Sequence, residues 1–113
     1  MDDSRVICGS NAYDQKYYFN EKYNSIPDSI KEELHIIAVL FTEEVGGIFT
    51  IEFDDEGNVA MRTEYAPEDY LYDEIGSGLL ISEIRRKRQE LFESLNLFYR
   101  VIILGEKIDF DEE

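Results

Sequence analysis

The chain has 113 residues, 43% of them apolar, with 26 acidic residues against 11 basic ones and a formal net charge of −15. That length suits one domain around a single hydrophobic core, and the eight tyrosines, seven phenylalanines and many β-branched side chains exclude an acidic disordered chain. The acidic excess disfavours nucleic acid, anionic membranes and acidic substrates, and it speeds encounter with a basic protein.

The amino end, MDDSRVICGS, lacks the basic start and long apolar stretch of a signal peptide. No apolar run approaches the length needed to cross a bilayer, and one cysteine, Cys8, cannot form an internal disulfide. A cytoplasmic protein is expected. The next stretch, NAYDQKYYFNEKY at 11–23, holds Tyr13, Tyr17, Tyr18, Phe19 and Tyr23. Tyr13 and Tyr17 stand at helical spacing after Ser10 or Asn11 as a cap, so a short helix is expected, with Tyr18 and Phe19 pointing elsewhere. Residues 1–25 are read as an aromatic-rich cover over the open face or edge of a small sheet; the alternative is an exposed aromatic patch for a partner.

The stretch SIPDSIKEEL predicts a short helix on Ile26, Ile30 and Leu34, capped by Asp28 or Ser29. HIIAVLFTE at 35–43 is a continuous apolar run with β-branched residues, which favours a strand buried on both faces; a continuous helix over 29–43 is the alternative. EVGG turns the chain, and GIFTIEF alternates, with Phe49, Ile51 and Phe53 on one side. DDEGN at 54–58 predicts a hairpin connection, and VAMRTEY returns with Val59, Met61, Thr63 and Tyr65 on one face. A long amphipathic helix is expected from about 73 or 78 to 96, with Leu80, Ile84, Leu91 and Leu95 inward and Ile81, Phe92 and Ile75 widening that stripe. A strand over about Phe98 to Leu104 follows, extendable through Ile108 and Phe110, before an acidic tail at 109–113. The expected fold class is α+β in one domain over 1–113, order α-β-β-β-α-β. It consists of a three-stranded meander plus a C-terminal strand, with the long helix on one face.

Ile26-Pro27, the meander, Tyr72-Asp73 before the long helix, Leu91-Phe92 and the stretch Val101 to Glu113 together resemble the YezG-like antitoxin, or immunity, family. That resemblance implies a non-catalytic acidic protein that binds and neutralises a toxin domain. CGSNAYDQKYYFN and TEEVGGIFTIEFD resemble more closely a small uncharacterised family from anaerobic Firmicutes, which implies no particular activity.

Residues with chemical potential are few. Cys8 beside Gly9 could be a nucleophile, but the usual partner base is His35 alone, within the proposed strand, and a small buried thiol is the simpler reading. One His and one Cys do not make a zinc site. DDEGN lacks the remaining ligands of a calcium loop, and GSG at 76–78 is a lone glycine pair among carboxylates that would repel a phosphate. The basic RRKR at 85–88 circles a helix axis, with Glu83–Lys87 and Arg86–Glu90 as ion pairs, and does not form one nucleic-acid patch. The expectation is a non-enzymatic protein-binding domain for a basic protein partner, without cofactor, metal, nucleic acid or membrane. The candidate contacts are Tyr13, Tyr17, Tyr18, Tyr70, Tyr72, Asp54, Asp55 and Glu56. A homodimer through the 11–23 stretch or the sheet edge, and a Cys8-based enzyme or thiol sensor, are the alternatives.

Overall fold

The computed structural model describes residues 5–103. Within them the α+β class holds: four strands form one antiparallel sheet, with three helices. The strands are β1 (Val6–Asn11), β2 (Lys16–Phe19), β3 (Ile48–Phe53) and β4 (Val59–Glu64); the helices are α1 (Asp28–Val45), α2 (Glu74–Lys87) and α3 (Gln89–Phe98). A single 3-10 turn at Glu21–Tyr23 precedes α1, and a π-helical turn at Tyr99–Ile103 continues from α3.

The order along the sheet is β2-β1-β3-β4. Because β1 is antiparallel to both β2 and β3, those two strands run in the same direction on either side of it. The link between them is α1, which makes a split βαβ unit and places the helix across one sheet face. The inward row follows from the register: Tyr17 and Phe19 on β2, Ser10 and Cys8 on β1, and Phe49 and Ile51 on β3. Leu34, Ile37, Ala38, Phe41 and Thr42 of α1 meet that row, and Leu91, Phe92 and Leu95 of α3 complete the core. Phe41 stacks on Phe49 with ring centroids 4.2 Å apart, and Phe53 lies 4.5 Å from Tyr99. Ile7 is an extra residue at an irregularity in the β1–β3 register, and it too is buried.

Five expectations do not hold. The 11–23 segment is not a helix: it closes the β1–β2 hairpin, turning at Gln15 with φ 54°. The alternation of Lys16, Tyr17, Tyr18 and Phe19 between more and less exposed positions is the period of a strand edge. The run 35–43 is helix, not strand, because its buried members Ile37, Ala38, Phe41 and Thr42 continue from Leu34 at three- and four-residue spacing. Consequently the expected three-stranded meander reduces to the β3–β4 hairpin, and β1 and β2 supply the rest of the sheet.

The single long helix is two helices, interrupted at Arg88 (φ −112°, ψ 30°), and the interruption turns α3 so that its apolar stripe faces β4. Finally, Tyr99–Ile103 is helical where a strand was expected, so the sheet gains no C-terminal strand from it. Leu104, Ile108, Phe110 and the tail at 109–113 lie outside the described residues.

The ends of the elements follow local chemistry. Pro27, rather than Asp28 or Ser29, occupies the cap position of α1, and Asp28 sits in the first turn, where a carboxylate favours the helix dipole. Gly46 and Gly47, at φ 90° and 73°, reverse the chain into β3. Asp54 organises the 54–58 hairpin by accepting from the N–H groups of Glu56 and Asn58 at 2.8 and 3.0 Å, while Gly57 takes φ 84°. The outer edge of β4 is closed at Val59, whose N–H donates to Asn96 Oδ1 at 2.9 Å and whose carbonyl accepts from Arg85 at 3.4 Å. Both partners come from helices, an arrangement that blunts an otherwise pairing-competent edge.

Candidate functional site

The expected contact residues fall in four places. Tyr13, on the β1–β2 turn, donates its hydroxyl hydrogen to Asp69 at 2.6 Å and accepts from the Ala66 N–H at 2.9 Å. It therefore ties the first hairpin to the 65–73 segment, and the Asp69 carboxylate raises its phenol pKa. Tyr72 stacks on Tyr65 with centroids 4.4 Å apart, and Tyr65 in turn hydrogen-bonds Glu74. Tyr18 is half-exposed on the sheet face opposite the helices, in register with Gly9. Asp54 is used by its own turn, Asp55 pairs with Arg5, which lowers the Asp55 pKa, and Glu56 is exposed.

Tyr17 joins the two residues that a thiol enzyme would use. Its ring stacks on the exposed His35 imidazole at 4.2 Å, and its hydroxyl lies buried toward Cys8 without completing a hydrogen bond of ordinary geometry. Burial first, then the neighbouring thiol, raises the Tyr17 pKa. The constellation cannot act as a nucleophile and base. Cys8 is fully buried in β1, and burial pushes its thiol up to about 12. Tyr17 stands between it and the imidazole with its ring committed to packing. A cleft of about 630 Å³ opens beside this stack between the first hairpin and α1. Along its wall the Ser10 and Thr42 hydroxyls hydrogen-bond each other at 2.7 Å, and Thr42 also reaches the Ala38 and Val39 carbonyls. The serine is thus engaged by a hydroxyl instead of a base, which leaves it unactivated.

Native Cys8 should accordingly react with iodoacetamide at neutral pH at least about 100-fold more slowly than the same residue in the urea-unfolded chain, because only the accessible thiolate attacks. Mass-spectrometric labelling time courses measure both rates. Comparable rates would reinstate a reactive thiol.

The surface feature missed in the sequence is aliphatic. Tyr70, Leu71, Ile75 and Leu79 are between 68% and 94% exposed, on the segment leading into α2 and along its outer face. Ile36 and Leu40 of α1, 47% and 56% exposed, join Leu80 and Ile84 in lining a groove between α1 and α2. Asp73 anchors the start of α2 by accepting the Gly76 N–H at 2.8 Å, and the Tyr13, Tyr65 and Tyr72 contacts hold the preceding segment. The apolar side chains are therefore displayed on a supported backbone. Of the expected contacts only Tyr70 belongs to this surface by its exposure; Tyr72 supports it from beneath. Ile75, expected to widen the inner stripe of the long helix, is instead 79% exposed, because α2 turns that side to solvent; the available signal was the second apolar set in each helix, Ile36 and Leu40 or Ile75 and Leu79.

The basic residues at 85–88 are dispersed, as their helical spacing requires. Lys87 pairs with Glu83 at 2.8 Å, Arg88 with Glu33 at 3.3 Å, and Arg85 lies over the Phe92 ring. The expected Arg86–Glu90 pair would span the interruption at Arg88, where the helical spacing is lost. Among the described residues, no helix is long and apolar enough to cross a membrane.

The molecule is thus an acidic α+β domain that displays an apolar helical surface. The chain belongs to DUF6145, a family of unknown function, with the match running over residues 4–107. Neither a curated protein nor a solved structure matches it.

Proposed function

We propose that this is a non-catalytic protein-binding domain whose partner is basic, with neutralisation of a toxin domain as the role that the YezG-like resemblance adds. The observation that carries the reading is the exposure of Tyr70, Leu71, Ile75 and Leu79 on an acidic protein. Isolated exposed leucines are ordinary, but adjoining large apolar residues on a supported segment fit a surface that a partner covers. The surrounding carboxylates would raise the encounter rate with a basic protein and disfavour acidic competitors. Burial of Cys8 and the engagement of Ser10 by Thr42 favour this over an enzyme.

The test is capture from a lysate of the native host by the wild-type chain and by a Leu71→Glu/Leu79→Glu variant, with circular dichroism to show that the variant folds. A basic protein should be retained by the wild type, released by moderate salt and lost by the variant. Equal retention by both proteins, or retention insensitive to salt, would count against the reading. Residence in the cytoplasm belongs to the same proposal and is tested by fractionating host cells.

A further inference from the structure

We propose that the groove between α1 and α2 seats one amphipathic helix of the partner, oriented with its basic residues over the end formed by Glu43, Glu44, Asp69, Asp73 and Glu74. This deepens the protein-binding reading and rests on it.

The groove is a channel between antiparallel helices. At one end Glu33 of α1 meets Arg88, just after α2, at 3.3 Å. At the other, Gly47, just after α1, lies so close to Tyr72, just before α2, that a Cβ there would come within 2.7 Å of the ring. Between these ends Ile36, Leu40, Leu80 and Ile84 line a space of about 250 Å³. That is below the roughly 300–1,000 Å³ of small-molecule pockets, so the groove suits inserted side chains better than a whole ligand. Its walls are helical side chains with their backbone groups already used in the helices, which leaves nothing for an added strand to pair with. Ridge-into-groove packing of a third helix is the mode that such walls support.

Charge selects the chemistry of that helix. At the Arg88 end, the Glu83–Lys87 and Glu33–Arg88 pairs leave little net charge. At the other end, Glu44 lines the groove from the last turn of α1 and Glu43 stands beside it at the border of the hairpin cleft, while Asp69 precedes α2, Asp73 caps it and Glu74 sits in its first turn. No Lys or Arg lies between positions 32 and 61 or between 63 and 84. Carboxylates at a helix carboxyl end oppose the helix dipole, so Glu43 and Glu44 are placed against the stability of α1. A basic partner would turn that unfavourable placement to use. A second copy of this chain would instead bring the same carboxylates together.

Fluorescence anisotropy with the full chain and two short synthetic helical peptides tests this. The peptides share a leucine stripe at helical spacing; one carries lysines toward one end and the other glutamates. The lysine peptide should bind, become more helical on binding and weaken with salt. Leu40→Glu, and separately Glu43→Gln/Glu44→Gln, should each weaken it about tenfold or more, without lowering the urea midpoint of the glutamine variant. Failure of the lysine peptide to bind, equal binding of the glutamate peptide, or indifference to Leu40→Glu would overturn the proposal. So would sedimentation equilibrium that shows a dimer abolished by Leu40→Glu, which would assign the groove to a second copy. If the host partner is still lost by Leu71→Glu/Leu79→Glu in any of these cases, the protein-binding reading stands and only the helix fails; if that capture fails too, both fail.

Discussion

Phe49→Ala should destabilise the domain by about 3–5 kcal/mol, a large share of the roughly 5–15 kcal/mol typical of a folded domain. Phe49 is fully buried in β3, where its ring stacks on Phe41 of α1 at 4.2 Å and its backbone is in register with Ser10 on one side and Thr63 on the other. Truncation removes the ring from the centre of the split βαβ unit and leaves a cavity that neither neighbour can fill. Ser10 is held by its hydrogen bond to Thr42, and Phe41 is fixed by α1. Urea denaturation followed by circular dichroism measures the effect as a lower midpoint at unchanged slope. The exposed Phe-sized positions provide the contrast: Tyr70→Ala should move the midpoint little, since its side chain is already in solvent. Equal losses at both positions would mean that the sheet–helix packing described above is wrong.

The sequence made the β3–β4 hairpin readable because two signals agreed there. Phe49, Ile51 and Phe53 alternate with polar residues, and Asp54 to Asn58 supply a turn with a glycine where positive φ is needed. Elsewhere the signals conflicted. In α1 the core stripe of Leu34, Ile37, Ala38 and Phe41 is helical, but Ile36 and Leu40 fill the opposite face with further apolar residues. Pattern alone cannot mark those two as exposed, so the stretch reads as a run buried all round. The same residues that obscured the helix form a wall of the candidate groove. The candidate groove and the ambiguity of the pattern have one physical origin, an apolar residue placed where the core does not use it.

The first hairpin was obscured by composition. Tyr13 and Tyr17 have helical spacing by coincidence, while the period-two alternation of Lys16 to Phe19 spans only four residues and is easily outweighed. At Tyr99–Ile103 the β-branched content suggested a strand, but Tyr99 is held in the core beside Phe53 and the helical path continues. Propensity yields there to a tertiary contact. The interruption at Arg88 carries no glycine or proline, and its local sequence gives no reason for it. As for the site, the tyrosines were visible as a group but not by role. Tyr13, Tyr17 and Tyr72 have ring or hydroxyl engaged within the fold, and only contacts distant in sequence separate them from Tyr70.

The adjacent glycines at the end of α1 should respond differently to alanine. Gly46 has φ 90° and ψ −167°, a backbone region that is essentially reserved for glycine, and a Cβ there would meet nothing within 4 Å, so Gly46→Ala carries the backbone penalty alone, about 1–3 kcal/mol. Gly47 has φ 73° as well, but its Cβ would stand 2.6 Å from the Glu64 carbonyl oxygen and 2.7 Å from Tyr72 Cε1. The first clash is with the backbone at the end of β4 and cannot be relieved by a rotamer change. Overpacking of this kind adds about 1–3 kcal/mol to the penalty of the positive φ itself, which makes Gly47→Ala the more damaging substitution. The effect should also reach the proposed interface. Tyr72 would have to leave its place over Gly47, which disturbs its stack on Tyr65 and the backbone that carries Tyr70 and Leu71 toward α2. Urea midpoints of the two variants, with partner capture measured below both transitions, separate the consequences. Gly46→Ala should retain the partner and Gly47→Ala should lose affinity even where it remains folded. Matching midpoints for the two variants would contradict the close packing of Tyr72 on the β3 entrance. Full partner retention by folded Gly47→Ala would show instead that the 65–73 segment is not what the partner reads.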